Sequence, residues 1–107
     1  MNIDTITHLE SIIAERRNAD PSTSYVASLN AKGREKMAQK VGEEAVEAVI
    51  AAMADDSDAL IGESADLVFH LLVLLAEKGI SWQQVMDELA SREGVSGLVE
   101  KAARPKE

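Results

Sequence analysis

The stretch ALIGESADLVFHLLVLLAEK, residues 59–78, leaves a chain of this kind few ways to fold. Wound as a helix at about 100° per residue, it gathers Glu63, Asp66, His70 and Glu77 into one stripe roughly 60° wide, and nearly everything else is apolar. A helix on the surface of a globular protein is polar over a much wider arc. This helix therefore belongs at the centre of a domain or an oligomer, with a narrow ionisable seam. Its longest unbroken apolar run, residues 71–76, is too short to cross a bilayer.

The rest of the chain offers helices to surround it. Leu, Ile, Val, Met and Ala carry the apolar content, with one Trp, one Tyr and one Phe, a composition that favours helix over sheet. Ile6, Leu9 and Ile13 mark a first amphipathic helix that stops before Pro21. STSYVASL reads as a short second helix closed by NAKG, and a third runs from about Arg34 to Ala54. DDSD separates it from the fourth, about 59–78, which Gly79 caps. Ser81 and Gln84 form a capping-box pattern for a fifth helix from Trp82 to about Ser91, and the tail adds at most one further turn. The expected fold is an all-α bundle of four to five helices forming one domain over residues 1–107, with 93–107 as a C-terminal tail. The 107 residues can bury one core of modest size.

With no cysteine, the chain has no disulfide, thiolate metal site or cysteine nucleophile, which is compatible with a reducing cytosol. The N-terminus has neither the basic start nor the apolar run of a signal peptide, so the protein reads as soluble and cytoplasmic. The net charge of −8 is unevenly placed. Residues 41–77 hold nine acids and no Lys or Arg, while the remainder, ten acids against eleven bases, is close to neutral. Such a segment repels nucleic acid and attracts cations, and the flanking bases suit an anionic small molecule.

Within KVGEEAVEAVIAAM, Glu43, Glu44 and Glu47 crowd an alanine-rich helix. Two carboxylates about 6 Å apart repel by about 3 kcal/mol at an effective dielectric near 20, which is tolerable on a solvated face or around a cation. The projection puts Lys36, Lys40, Glu43, Glu44 and Glu47 on one side of the third helix and Val41, Ala45, Ala48 and Ala52 on the other. The short loop makes the third and fourth helices antiparallel neighbours whose acidic faces meet. Glu44 and Glu47 opposite Glu63 and Asp66 then form an all-oxygen ligand set, better suited to Mg²⁺ or Mn²⁺ than to Zn²⁺ or copper. A solvated face is the better reading for the three glutamates alone. It is weaker for Glu63 and Asp66, because an unpaired charge on a nearly all-apolar helix is costly. Lys40 reads equally as an intrahelical ion-pair partner, and His70 as a satisfied histidine of the seam.

The segments KVGEEAVE and ESADLVFHLLVLL resemble the paired E-x-x-E and E-x-x-D motifs of the MazG-like all-α nucleotide pyrophosphohydrolases, here Glu44/Glu47 and Glu63/Asp66. STSYVASLNAKGREKMAQK and SREGVSGLVEKAAR narrow the likeness to the phosphoribosyl-ATP pyrophosphatases of histidine biosynthesis, over roughly residues 21–104. The resemblance implies hydrolysis of phosphoribosyl-ATP to phosphoribosyl-AMP and pyrophosphate with Mg²⁺, held by Glu44, Glu47, Glu63 and Asp66. It implies catalytic roles for Glu43 and Glu47 at the attacking water, and substrate contacts from Lys40, His70, Lys101 and Arg104. It also implies a homodimer, and a cyclohydrolase on a separate chain, because that enzyme's zinc site depends on cysteine. A house-cleaning pyrophosphohydrolase for dUTP, dCTP or aberrant nucleotides would share the four carboxylates. A di-iron bundle needs a Glu-x-x-His motif on each of two helices, and the sequence has none. A non-enzymatic dimerisation module would need no metal.

Overall fold

A computed structural model describes residues 4–94 together with Ala102. Among them run five helices in chain order: α1 (Thr5–Arg16), α2 (Tyr25–Lys32), α3 (Arg34–Met53), α4 (Ser57–Glu77) and α5 (Trp82–Ser91). The expected limits of α3, α4 and α5 hold to within two residues. Local chemistry explains the ends. Asp4, Ser24, Asp56 and Ser81 each cap a helix by accepting from a backbone N–H, and Ser81 with Gln84 completes the anticipated capping box. Gly33 alone joins α2 to α3 with φ 94° and ψ 177°, a conformation that costs any side chain dearly, so the two helices meet at a corner one residue long. The tail residues 95–101 and 103–107, including the turn anticipated there, lie outside the described residues.

The core gathers at one end of the α3–α4 hairpin. Ile13, Val26, Leu29, Met37, Leu72 and Val73 are buried together, and Leu9, Val68, Phe69 and Trp82 pack against them. They come from α1, α2, the first turn of α3, the second half of α4 and, for Trp82, the start of α5, so the opposite end of the hairpin projects beyond the core. Its Val46, Val49, Ile50, Met53 and Ile61 are exposed. The radius of gyration, 16.1 Å, exceeds the roughly 13 Å of a compact domain of this length. Helix α4 is long and apolar enough to cross a membrane by length and composition, and only 17% of its most apolar stretch is buried within the chain.

Helix α3 is turned differently from the expectation. Its buried face against α4 includes Met37, Glu44 and Ala51, with Val41 and Ala48 half-buried between them, so Glu44 belongs to the packed seam. Glu44 meets α4 as expected, but Val41 and Ala48, expected on the opposite side with Ala52, share its face, while Ala52, Glu43 and Glu47 are exposed. The positions 37, 41, 44, 48 and 51 follow the 3-4 spacing of antiparallel bundle packing, which overrides the simple division into acidic and small-residue sides.

One polar cluster ties the core end together. The Arg17 guanidinium donates to Glu77 Oε1 at 2.7 Å, Asn30 Oδ1 at 3.1 Å and the Ala76 carbonyl at 3.3 Å, and Asn30 donates back to the Arg17 carbonyl at 3.1 Å. Arg34 adds a second cation 3.6 Å from Glu77. These bonds join α1, α2, α3 and α4 at one partly buried point. Arg17→Ala is expected to cost about 1–3 kcal/mol of unfolding free energy in urea titrations, because it leaves Glu77 and Asn30 underbonded. A loss below about 0.5 kcal/mol would mean that Arg34 and water replace it fully.

Candidate metal and substrate site

Helix α3 brings Glu44 to its packed face because position 44 falls in the seam, and α4 brings Glu63 and Asp66 to the same level on its ionisable stripe. One carboxylate oxygen from each of the three lies within 4.8 Å of the others, a spacing that a divalent cation can bridge. Glu44 is buried, Glu63 half-buried and Asp66 exposed, so the cluster opens to solvent on the Asp66 side. Glu47, one turn along α3, is outside this trio but close enough to Glu63 to act on its charge.

The electrostatics are those of carboxylates crowded against one another. Glu63 Oε2 is buried and no hydrogen-bond donor among the described residues reaches it, since its neighbours are themselves carboxylates. Burial, then the negative charge of Glu47, then proton-sharing contacts with Glu47 and Glu44 push the Glu63 carboxyl up to about 6. An orphaned buried oxygen in an all-carboxylate donor set fits a hard divalent cation, and Glu44, Glu63 and Asp66 are the residues placed to hold it.

Around this cluster the other sequence-derived candidates separate. Lys40 Nζ lies 3.3 Å from Glu43 Oε1 and 3.5 Å from Glu44 Oε1, the intrahelical ion pair that its spacing allowed. Its bond to Glu43 favours the charged form, so a cation sits at the rim of the acidic site. Glu43 is exposed and lies outside the trio. A 2.8 Å hydrogen bond from Gln39, and then the one from Lys40, hold its carboxyl below the usual range and make it a poor proton acceptor. His70 is buried and both its ring nitrogens are bonded within the protein, Nδ1 to the Asp66 carbonyl at 2.7 Å and Nε2 to the Tyr25 hydroxyl at 2.8 Å. No polar atom of that ring is left for a substrate. Lys101 and Arg104 lie outside the described residues.

A cleft of about 390 Å³ runs from Glu47 and Glu63 along Ile50, Ala51, Ala54 and Ala59 to Asp56. Ala51 of this lining belongs to the α3–α4 seam, and Glu63 to the acidic trio, so the apolar cleft adjoins the acidic site.

The chain matches the family model described as phosphoribosyl-ATP pyrophosphohydrolase across residues 6–93, which is most of its length. This chain belongs to that family. It is 67% identical to the phosphoribosyl-ATP pyrophosphatase of Rhizorhabdus wittichii, an alignment covering 95% of this chain and 96% of the relative. It is 62% identical to the enzyme of that name from Erythrobacter litoralis, over 95% and 98% of the two chains. With the Zymomonas mobilis phosphoribosyl-ATP pyrophosphatase it shares 59% identity over 99% of each chain. The family match spans all five helices, so the acidic site of α3 and α4 and the core that supports it fall within the shared region.

Proposed function

We propose that this chain hydrolyses phosphoribosyl-ATP to phosphoribosyl-AMP and pyrophosphate, the second step of histidine biosynthesis, with Mg²⁺ as the metal and Mn²⁺ as a substitute. The observation that carries the reading is the trio Glu44, Glu63 and Asp66, with the orphaned Glu63 Oε2 at its centre, in a chain of the phosphoribosyl-ATP pyrophosphohydrolase family. Glu47 completes the ligand set from the next turn of α3. Bound there, the metal would neutralise and polarise the triphosphate at the α–β linkage.

The chain's own residues do the rest. Glu44, Glu63 and Asp66 would hold the metal, and the packed α3–α4 seam fixes their own places, so catalysis would come chiefly from positioning and charge neutralisation. Glu47, exposed and beside Glu63, would orient and deprotonate the attacking water. Glu43, held ionised by Gln39 and Lys40, serves in the outer ring, where it keeps Lys40 in position. Lys40 contacts the phosphates from the rim, with Lys101 and Arg104 of the tail as further phosphate contacts. We take residues 1–107 as one domain acting in the cytoplasm on a small-molecule nucleotide, without nucleic acid or membrane, beside a separate cyclohydrolase.

A homodimer completes the fold in this reading. The exposed apolar end of the hairpin and the uncovered flank of α4 support it. Lipid is a poor cover for that helix, because Glu63 and Asp66 fall in mid-span and face another acidic helix.

Pyrophosphate release tests the proposal. With Mg²⁺ present, kcat/KM for phosphoribosyl-ATP should exceed that for ATP, dUTP or dCTP by at least about a hundredfold, since the second ribose phosphate adds binding energy that the others lack. Removing Mg²⁺ with a chelator should stop the reaction. Comparable kcat/KM for the plain nucleotides would move the chain to house-cleaning hydrolysis, and full activity in chelator would remove the metal from the mechanism.

A further inference from the structure

Tyr25 is oriented against the usual habit of tyrosine. An amphipathic tyrosine buries its ring and keeps its hydroxyl in water. Here the hydroxyl is turned onto buried His70 at 2.8 Å while half of the residue, 50%, stays exposed. The bond is directional. The Asp66 carbonyl can only accept, so His70 Nδ1 carries a proton and donates to it at 2.7 Å, and in the neutral imidazole Nε2 accepts from the Tyr25 hydroxyl. Phe69 supports the ring from one side with centroids 6.1 Å apart and 24° between planes, and His70 meets it edge-on at 5.6 Å and 86°. A half-exposed tyrosine is thus locked through His70 to the turn of α4 that carries Asp66. The chain of bonds from the Tyr25 hydroxyl through His70 to the Asp66 carbonyl sets Tyr25 beside the acidic site.

We propose that the Tyr25 ring stacks on the purine base of the nucleotide, and that His70 is the positioning residue that holds it there. The inference rests on the proposed function for the identity of the nucleotide, and it accounts for His70 without a direct contact to substrate. With the triphosphate at the carboxylates and Lys40, the base is the part of such a ligand with a π-face to offer a fixed aromatic ring.

The test compares two probes by calorimetry in Mg²⁺: α,β-methylene-ATP, which resists cleavage at the α–β linkage, and inorganic tripolyphosphate, which has no base. Tyr25→Ala should weaken the methylene nucleotide by about tenfold or more and leave tripolyphosphate within about twofold. Should the alanine variant fail to fold, Tyr25→Trp and Tyr25→Leu make the same comparison, with the nucleotide held by Trp and lost by Leu. His70→Gln should weaken the nucleotide less than Tyr25→Ala, because the ring remains but is free to turn. Equal weakening of both probes, no weakening of either, or a change of oligomeric state with unchanged binding would overturn the stacking role. Turnover of phosphoribosyl-ATP by the wild type is scored separately. If it is absent while the probes behave as stated, the proposed reaction fails and the base contact stands.

Discussion

Glu63→Gln is expected to melt higher than the wild type in the absence of metal, and to hydrolyse phosphoribosyl-ATP slower by orders of magnitude. The first effect follows from the orphaned oxygen: the amide supplies donors to Glu44 and Glu47 where the wild type offers only another acceptor. It also predicts a pH dependence. The Glu63 carboxyl titrates near 6 in the folded protein and at an ordinary 4.5 otherwise, so between these values the folded state binds the proton more tightly. Unfolding free energy therefore falls as pH rises from about 4.5 to about 6 and stays at the lower level above, and the variant lacks this fall. Added Mg²⁺ reverses the order at neutral pH. It stabilises the wild type by RT ln(1 + [L]/Kd), about 2.7 kcal/mol at a hundred times Kd, and the variant gains little. Activity falls because a ligand to the metal acts directly on transition-state charge. Thermal melts from pH 4 to 8, with and without Mg²⁺, read all of this. A variant that melts lower without metal and turns over at near wild-type rate would remove the metal site.

The second large effect is on assembly. Met53 is 81% exposed, so a glutamate there costs the isolated chain only the small penalty of an acid at a helix C-terminus. In a dimer that covers the projecting end of the hairpin, two-fold symmetry places the substitution in the interface twice, and each buried charge lacks a partner. Met53→Glu should raise the dimer dissociation constant by about a hundredfold or more, turning a dimer into a monomer at micromolar concentration, with a lower melting temperature. Light scattering on the eluting peak measures it. A wild type that elutes as a monomer would end the dimer proposal, and a variant that stays dimeric at an unchanged melting temperature would move the interface elsewhere.

Helix identity and helix ends were legible in the residues themselves. Capping side chains, Gly33, the DDSD turn and the 3.6-residue period act within a few positions of one another, so α5 begins and ends where Ser81, Gln84 and the apolar pattern put it. The same holds for the pairing of α3 with α4, which a short loop allows in one sense only, and for the acidic stripe of α4, since an ionisable seam on an apolar helix has few partners. The family, too, was readable as a resemblance, carried by the two carboxylate motifs together with their flanking segments.

What tertiary structure alone decided is which side of α3 meets α4, and what each candidate touches there. Glu43 and Glu44 are neighbours in sequence and 100° apart on the helix. The seam through Met37, Val41, Ala48 and Ala51 brings Glu44 under α4 and leaves Glu43 outside, bound to Gln39 and Lys40. His70 looked like a polar group on the path to a substrate, yet α2 brings Tyr25 against its free nitrogen from 45 residues away. Neither outcome is written in local spacing. The first depends on the rotation of α3 about its axis and the second on where α2 docks against α4, and both are set by the summed packing of side chains distant in the chain.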